Sequence, residues 1–238
     1  MPLAKTYACG NNPDGWAAVE SAPLFTGVSP QEFRRITAAA RLKRFTRGDM
    51  LYVEGDPFGQ ILLLISGSVK ITKLGPKGME VILRLCGPGD VLDTASLFST
   101  GRHRTTAQAI RGCGTLAWDA GIFKALLESL PVLSKNMIRT TCNYLWELEE
   151  RFRELATEQV APRVARQLIR LQEQVGSPPK AEMEVGLSRE GLAQMTGTTL
   201  YTVSRLLSTW EEDGLVNSRR ESMIITDVPA LRKVIEEN

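Results

Sequence analysis

The chain has 238 residues, of which 43% are hydrophobic and 24% are charged, and its formal net charge is +2 at pH 7. This composition is ordinary for a soluble protein with buried cores. The near-neutral total neither indicates nor excludes nucleic-acid binding, because a basic patch can lie within it. The longest apolar run, Ile61–Ile65, has the length of a strand, which argues against a membrane span.

Residues 1–15 are polar and rich in glycine and asparagine, without the hydrophobic core of a secretory signal, so we expect a cytoplasmic protein. The cysteines are far apart, and none forms a CxxC pair. In a reducing compartment this spacing favours free or buried thiols over disulfides, and it assigns them no role. These residues are Cys9, Cys86, Cys113 and Cys142.

Residues 1–22 are predicted to form a mobile N-terminal tail that includes a short helix at Trp16–Ala18. The next helix begins after Ser29, which is placed to act as its N-cap. Pro30 suits the first turn of a helix, and Glu32 completes a capping box with Ser29.

Residues 23–130 are predicted to form a sensor domain of short strands, closed by a helix at Asp119–Leu130. The turn sequences recur at intervals of roughly ten residues, which is typical of an antiparallel sandwich or barrel. One of these turns is predicted at Ser66-Gly67. The predicted strands are Leu42–Phe45, Met50–Val53, Ile61–Ile65, Ser68–Leu74, Glu80–Cys86, Thr105–Ile110 and Thr115–Trp118.

A long helix is predicted over residues 131–157. One set of positions, apolar except for Thr141, recurs at steps of three and four residues, the spacing of about 3.5 residues that defines a coiled-coil seam. Such a narrow seam suits one partner helix, most simply a second copy across a two-fold axis. Packing within one domain is the alternative that this stretch leaves open. The seam positions are Ile138, Thr141, Leu145, Leu148, Phe152 and Leu155.

Residues 158–238 are predicted to form a second domain. Pro162 suits the first turn of a new helix, and Gly176–Pro179 is predicted to be the loop after it. Ser188 and Thr199 are predicted to be the N-caps of two short helices that are joined by a turn containing glycine.

These two helices and a following hairpin, Leu215–Arg219 with Met223–Thr226, are typical of a winged helix-turn-helix. The second helix has an exposed face near its N-terminus, where Arg205 can place its guanidinium against guanine O6 and N7. The alternative is that Arg205 is a solvated surface arginine and both helices are core elements. The exposed face carries Leu200, Tyr201, Ser204 and Arg205.

Other residues nearby suit contact with DNA. Threonine hydroxyls and the amides of a helix N-terminus can bind phosphate, and arginines of the wing suit phosphate or the minor groove. These candidates are Thr198, Thr199, Thr202, Arg189, Arg219 and Arg220.

The stretch Leu187–Leu207, LSREGLAQMTGTTLYTVSRLL, resembles the helix-turn-helix of the CRP/FNR transcription regulators. The glycine-spaced strands, with Gly55, Gly67 and Gly87–Asp90, are similar to the cyclic-nucleotide-binding-type β-roll of that family. The resemblance extends from about Pro23 to the C-terminus. It implies that residues 131–157 form a dimer helix, that the homodimer reads half-sites roughly 34–36 Å apart, and that RNA polymerase is a partner.

The recognition helix departs from the family pattern. Tyr201 stands where many relatives carry glutamate, and Leu200 matches an arginine of the cyclic-AMP receptor. Arg205 matches an arginine of the family pattern that this chain keeps. We therefore expect a guanine contact by Arg205, but not recognition of the family's usual half-site in full. Three roles stay open for Tyr201: contact with a thymine methyl group, contact with a phosphate, or shielding of the turn.

The resemblance also points to candidate effector residues. The pairs that bind ribose and phosphate in the cyclic-AMP receptor match Asp93-Thr94 and Arg104-Thr105 here, and its adenine contacts match Leu148 and Glu149. A carboxylate at Asp93 beside the phosphate, and the lack of a carboxylate at Thr94, argue against cyclic AMP. Arg104 either holds an anion together with Thr105 or forms a structural pair with Asp93.

Two other effectors are disfavoured. An iron–sulfur cluster needs about four thiolates, and the N-terminal region supplies only Cys9. His103 is the sole histidine, and its position in a loop predicts a surface residue rather than a haem ligand. Cys113 is predicted to be a buried thiol, while a redox role for Cys9 or Cys142 stays open. The effector is therefore unidentified.

The sequence predicts an α+β protein with an N-terminal antiparallel β-roll, a long dimerisation helix and a C-terminal winged helix-turn-helix. We expect a DNA-binding transcription regulator and not an enzyme, whose operator and direction of regulation stay open. An effector would change the packing of the seam helices, and a helix break near Thr157 would convert this into a new angle between recognition helices. The alternative is a ligand-binding signalling module whose C-terminal helices bind protein.

Overall fold

The described chain folds into two units. The structure is a computed structural model that describes residues 17, 19–99, 101–175, 183–185, 187–219 and 222–237. The first unit comprises the described residues of Met1–Lys73 and Arg84–Tyr144, and the second those of Leu74–Leu83 and Leu145–Asn238. Among these residues, no helix combines the length and the apolar character that a membrane span requires.

A six-stranded sheet lies mainly in the first unit, and the ends of two strands, Leu74 and Glu80–Leu83, are counted with the second. Its strands are β1 (Arg41–Phe45), β2 (Met50–Tyr52), β3 (Gln60–Leu74), β4 (Glu80–Cys86), β5 (Val91–Leu92) and β6 (Thr106–Asp119). β6 pairs antiparallel with β1, β2 and β3, while β3 also pairs with β4 and, antiparallel, with β5. The antiparallel architecture predicted from the turn spacing is confirmed.

Two predicted strand breaks are wrong. The segments before and after Ser66-Gly67 form one strand, β3, and the two predicted closing strands likewise form one strand, β6. At Gly67 the φ angle is 80°, and the register of β3 against β6 shifts on both sides of Ser68. A bulge with a left-handed glycine bends a strand without reversing it, so the turn signal at this position marked a bulge.

The strand β3 contributes to two apolar cores of the first unit. Successive side chains of a strand point to opposite faces of its sheet. Ile61 and Leu63 therefore belong to one core, and Leu62 and Leu64 belong to the other. Burial of both faces explains why this segment reads as a continuous apolar run instead of an alternating one.

From Pro30 onwards, three α-helices of the described chain lie wholly or partly in the first unit. The capping box that the sequence predicts at Ser29 is confirmed. The amide of Glu32 donates to the Ser29 hydroxyl (3.3 Å), and the amide of Ser29 donates to the Glu32 carboxylate (2.9 Å). The indole N–H of Trp118 donates to the carbonyl of Ile36 (2.7 Å) and ties the sheet to this helix. The helices are α1 (Pro30–Ala38), α2 (Ala120–Ser129) and α3 (Pro131–Thr157), of which α3 continues into the second unit.

The described part of the second unit contains four further α-helices and a small sheet. The helices are α4 (Val160–Val175), α5 (Arg189–Thr196), α6 (Leu200–Glu212) and α7 (Val228–Glu236). The sheet has the order β7-β9-β8, with β7 at Met183–Val185, β8 at Val216–Ser218 and β9 at Met223–Ile225. The predicted hairpin is confirmed, and the third strand, β7, had no recognisable sequence signal. Apart from helical Ala17, the predictions at Trp16–Ala18 and Gly176–Pro179 lie outside the described residues.

Candidate nucleic-acid interface and effector region

The helix-turn-helix of the second unit is closed at each junction by a cap. The Ser188 hydroxyl accepts a hydrogen bond from the amide of Gly191 (3.1 Å), and Gly197 ends α5 with a φ angle of 62°. The Thr199 hydroxyl accepts a hydrogen bond from the amide of Thr202 (3.1 Å) at the start of α6. The predicted caps are confirmed, and they fix the direction in which α6 leaves the turn.

The helix α6 presents two different faces. The helical periodicity predicts an inner face of Val203, Leu206, Leu207 and Trp210. Three of these residues are buried, whereas Leu206 is half-buried. Near the N-terminus the other face is open to solvent, with Leu200 50% and Tyr201 75% exposed. Arg205 is exposed on the same face, and Ser204 beside it is half-buried. The structure thus brings the four predicted base-contacting residues onto one accessible surface.

The candidate phosphate-binding hydroxyls cluster at the start of α6. Those of Thr199 and Thr202 are 2.9 Å apart, and one donates to the other. Thr199 is exposed, whereas Thr198 and Thr202 are half-buried. Since the Thr199 oxygen also caps the helix, its position is set by the fold before any anion binds.

The three candidate arginines outside α6 have different surroundings. Arg189 lies 3.2 Å from the carboxylate of Glu211, so an ion pair joins the start of α5 to the C-terminal part of α6. Arg219 is exposed, and its amide donates to the carbonyl of Ser222 (2.7 Å) at the tip of the wing. Arg220 lies outside the described residues.

Two residues of α3 contact the helix-turn-helix within the second unit. A Cβ atom at Gly197 would lie only 2.8 Å from Leu155 Cδ2, so this glycine permits the close packing of Leu155. The Arg151 guanidinium donates to the carbonyl of Leu83, in β4, and to that of Met195 (3.3 Å), in α5. No periodicity indicated the Arg151 contacts, because their partners are 68 and 44 positions away along the chain.

A cluster of ion pairs surrounds the junction of α3 and α4. The Glu154 side chain, 5% exposed, lies 3.3 Å from the Arg166 guanidinium. It also accepts two hydrogen bonds from Arg170. Glu158 lies 2.9 Å from Arg153 and 3.2 Å from Arg166. The carboxylates therefore come from α3 and the residue after it, and two of the three arginines come from α4.

One stripe of α3 is exposed in the described chain. Its large apolar members are Ile138 (63%), Leu145 (52%), Phe152 (73%) and Leu155 (48%). The other two predicted seam residues, Thr141 and Leu148, are half-buried, and the Thr141 hydroxyl lies 3.3 Å from that of Thr94. Trp146 is not one of the predicted seam positions, and it is 64% exposed.

The effector region of the first unit contains a buried carboxylate–imidazole pair. Asp93 Oδ2 lies 2.5 Å from His103 Nδ1, and the two side chains are 6% and 7% exposed. Asp93 also accepts a hydrogen bond from the Ser96 hydroxyl (2.7 Å). Its φ angle of 55° makes it the one non-glycine residue of the described chain in the left-handed region. The pair therefore holds a loop conformation that few residues other than Gly, Asn or Asp adopt.

One prediction about this region is wrong, because His103 is buried instead of lying on the surface. Asp93, which one of the two open readings paired with Arg104, is paired with His103. The physical reason is aromatic packing: the His103 ring stacks on Tyr52, with centroids 4.1 Å apart, and meets Phe58 edge-on at 5.2 Å. Burial and, second, the nearby Asp93 carboxylate raise the pKa of Tyr52 well above its ordinary value.

The other candidate effector residues are less enclosed. The Arg104 side chain is exposed, and Thr94 and Thr105 are half-buried. Leu148 and Glu149 belong to the second unit, where Leu148 is half-buried and Glu149 is exposed. Of the matched positions, Asp93 is held by His103 and Ser96, and the Thr94 hydroxyl accepts a hydrogen bond from Thr141.

The described cysteines are thiols. Cys86 and Cys113 are buried and Cys142 is half-buried, whereas Cys9 lies outside the described residues. Burial, with a smaller contribution from Asp49, raises the pKa of Cys113 to about 11, which makes its thiolate rare at neutral pH. Within the described residues, no group of three His, Cys, Asp or Glu side chains could hold a metal ion.

Two family models match the chain. A Crp-like helix-turn-helix domain matches residues 162–234, and a cyclic nucleotide-binding domain matches residues 42–129. A CRP-like cAMP-activated global transcriptional regulator of Mycobacterium tuberculosis is 27% identical over 214 residues, which cover 89% of this chain and 96% of the relative. The Cyclic AMP receptor protein of Thermus thermophilus is 28% identical over 217 residues, which cover 91% and 98%.

Solved structures show the same fold. The c-di-GMP responsive global regulator CLP of Xanthomonas campestris matches with a TM-score of 0.73 at 21% identity, covering 84% of this chain and 100% of that one. At this level of identity the likeness concerns the fold alone.

Replacing His103 with alanine should lower the free energy of unfolding by about 3–5 kcal/mol, because Asp93 would stay buried without its partner. The double variant Asp93→Asn/His103→Ala should be less destabilised, since a neutral amide is easier to bury than a carboxylate. Urea unfolding measures both, with the exposed neighbour Arg104→Ala as the control, expected within about 0.5 kcal/mol of wild type. Equal losses in the single and double variants would contradict the pairing.

Proposed function

This chain belongs to the CRP/FNR family of DNA-binding transcription regulators, and on that premise we propose that it recognises a specific operator as a homodimer. The observation that carries the proposal is the exposed face of α6, on which Arg205 stands beside Leu200 and Tyr201. The relatives are transcription regulators and not enzymes. RNA polymerase is the protein partner that we expect from family membership.

Arg205 is proposed to read guanine. Its guanidinium has donors in a fixed fork that matches guanine O6 and N7 in the major groove. The capped N-terminus of α6 presents its amides and the Thr199 hydroxyl to a phosphate, which would set the register of the helix on the duplex. Arg219 and Arg220 of the wing are proposed as further contacts with the DNA backbone, and the pair of Arg189 with Glu211 supports a positioning role for Arg189.

The partner of the exposed stripe on α3 is proposed to be a second copy of the chain. Ile138, Leu145 and Phe152 are spaced by seven residues, and each is more than half exposed. Apolar residues at heptad spacing bury one another when two such helices pair. A two-fold axis through this stripe would present two recognition helices to half-sites about 34–36 Å apart.

We propose that cyclic AMP is not the effector. At the position that matches a ribose contact of the cyclic-AMP receptor, Asp93 is engaged by His103 and Ser96. A nucleotide phosphate held by Arg104 and Thr105 would meet the negative charge of Asp93 close by. Any effector that does bind would act on the DNA-reading unit through α3, whose end is joined to α4 by the ion pairs of Glu154.

The rival function is a signalling module whose C-terminal helices bind protein. Association with DNA releases counterions and weakens steeply as salt rises, whereas an apolar protein contact does not. A salt titration of binding to genomic fragments therefore separates the two functions. The open, arginine-bearing face of α6 favours DNA.

Replacing Arg205 with alanine should weaken binding to the selected operator by about 1–3 kcal/mol, because the bidentate guanine contact is lost. Binding to random duplex should change little, since that binding rests on phosphate contacts. Fluorescence anisotropy at several salt concentrations measures both. The matched control is Arg232→Ala, an arginine of α7 whose side chain is 57% exposed. An equal loss on operator and random DNA would contradict the assignment of Arg205.

Replacing Phe152 with glutamate should convert a dimer into a monomer and reduce operator affinity, because two carboxylates would face each other across the seam. Sedimentation equilibrium gives the mass of each variant. The control is Ile122→Glu on α2, which also introduces a charge at an exposed apolar position (48% exposed) but off the stripe. A wild-type protein that is monomeric at all concentrations would refute the proposed assembly.

The melting temperature of the protein with cyclic AMP should be no higher than its melting temperature with 5′-AMP at the same millimolar concentration. A ligand at 100 times its dissociation constant stabilises a protein by about 2.7 kcal/mol, so specific binding would be plain in a thermal-shift series. A saturable rise with cyclic AMP alone would overturn the exclusion of this effector.

A further inference from the structure

The start of the recognition helix α6 exposes apolar surface that the fold does not use. Tyr201, 75% exposed, is the most exposed large apolar or aromatic side chain among the described residues, and Leu200 beside it is 50% exposed. The core face of the same helix is filled by Val203, Leu207 and Trp210, so neither residue is needed for packing. Their exposed apolar area is therefore available for contact with a partner.

The N-terminal part of α6 also lacks acidic side chains. Acidic side chains in a first turn are stabilised by the helix dipole, and α6 has none there. From Thr198 to Ser208 the chain carries no carboxylate, and Arg205 is its one charged residue. This surface therefore offers a guanidinium, hydroxyls and apolar area, and it has no side chain that accepts as strongly as a carboxylate.

These groups match the major-groove edges of only some bases. Guanine shows acceptors to an arginine, thymine shows an apolar C5-methyl group, and cytosine shows an amino donor that a carboxylate reads best. Leucine and the ring of tyrosine can discriminate thymine through its methyl group. Without a carboxylate, the surface has little to select cytosine with.

The spacing along α6 limits which bases are read together. Tyr201 and Arg205 are four residues apart, which places their side chains next to each other on the helix surface, about 5–6 Å between Cβ atoms. Leu200 lies one residue nearer the N-terminus, beside the Thr199 cap. Since base pairs stack about 3.4 Å apart, the three side chains span about two or three consecutive pairs.

We propose that Leu200 and Tyr201 contact thymine C5-methyl groups within about two base pairs of the guanine that Arg205 reads. The inference rests on the proposed function, because it assumes that α6 enters the major groove. It assigns Leu200 and Tyr201 as specificity-determining residues and defines the half-site chemically, as guanine followed or preceded by methyl-bearing pyrimidines. It also chooses one of the three roles that the sequence left open for Tyr201.

The test uses uracil, which differs from thymine only by the missing methyl group. The full-length protein first selects its operator from a random duplex library, and each thymine near the shared guanine is then replaced by uracil. For the wild type we expect about a fourfold loss at each contacted position, the effect of one buried methyl-sized group. In Leu200→Ala, replacement of thymine by uracil should no longer weaken binding at the position that Leu200 contacts. In Tyr201→Ala the same should hold at the position that Tyr201 contacts.

Two controls separate a lost contact from a lost fold. Both alanine variants should still lose affinity when the guanine is replaced by 7-deazaguanine, which lacks the N7 acceptor of Arg205. Tyr201→Phe should keep the preference for thymine over uracil, whereas a hydroxyl–phosphate contact would make this variant weaker on every sequence alike. Tyr201→Glu should move the preference at its position towards cytosine.

The possible results are distinct. Equal affinity of the wild type for thymine and uracil operators, or a preference that survives both alanine substitutions, would overturn the methyl contact while leaving DNA binding intact. Failure to enrich any duplex would refute the proposed function itself, with no test of the half-site needed.

Discussion

A buried carboxylate sets the geometry on which the rest of the second unit depends. Glu154, near the C-terminus of α3, is enclosed by Arg166 and Arg170 of α4. A buried ion pair adds little net stability compared with apolar packing, but separating it leaves an unpaired charge at a high cost. The two helices therefore keep their relative orientation, and Arg151 and Leu155 of α3 extend that constraint to the helix-turn-helix. Phe152 of the exposed stripe lies on the same helix, between Arg151 and Leu155.

The candidate effector region combines a family fold with side chains of its own. The fold of the first unit is that of a cyclic nucleotide-binding domain, yet the loop that matches the ribose contact is held by a side chain of the protein. The imidazole of His103 satisfies the Asp93 carboxylate, and Tyr52 and Phe58 cover the imidazole. The same backbone can thus support a different input, because the chemistry of a site is set by the side chains placed on it.

The exposed face of α6 is separate from the residues that build the helix-turn-helix. The caps and buried residues of α5 and α6 specify how the second helix is presented, and they place no requirement on Leu200 or Tyr201. A substitution at either position would therefore leave the packing of α6 intact. Exchange of charged for apolar groups at such positions alters which base edges are favoured, without altering the fold.

The sequence by itself determined the elements whose causes are local: the cap at Ser29, the helix from Pro131 to Thr157, and the helix-turn-helix with its caps. Hydrogen bonds between near neighbours and heptad spacing depend on residues a few positions apart, so the local sequence predicts them. Only the tertiary structure decided that Gly67 lies in a bulge, that His103 is buried against Asp93, and that Arg151 contacts Leu83 and Met195. Each of these features depends on which distant segments meet. A glycine, a histidine or an arginine has the same local pattern whether it faces solvent or a partner tens of residues away, so the partner becomes known only when the chain is folded.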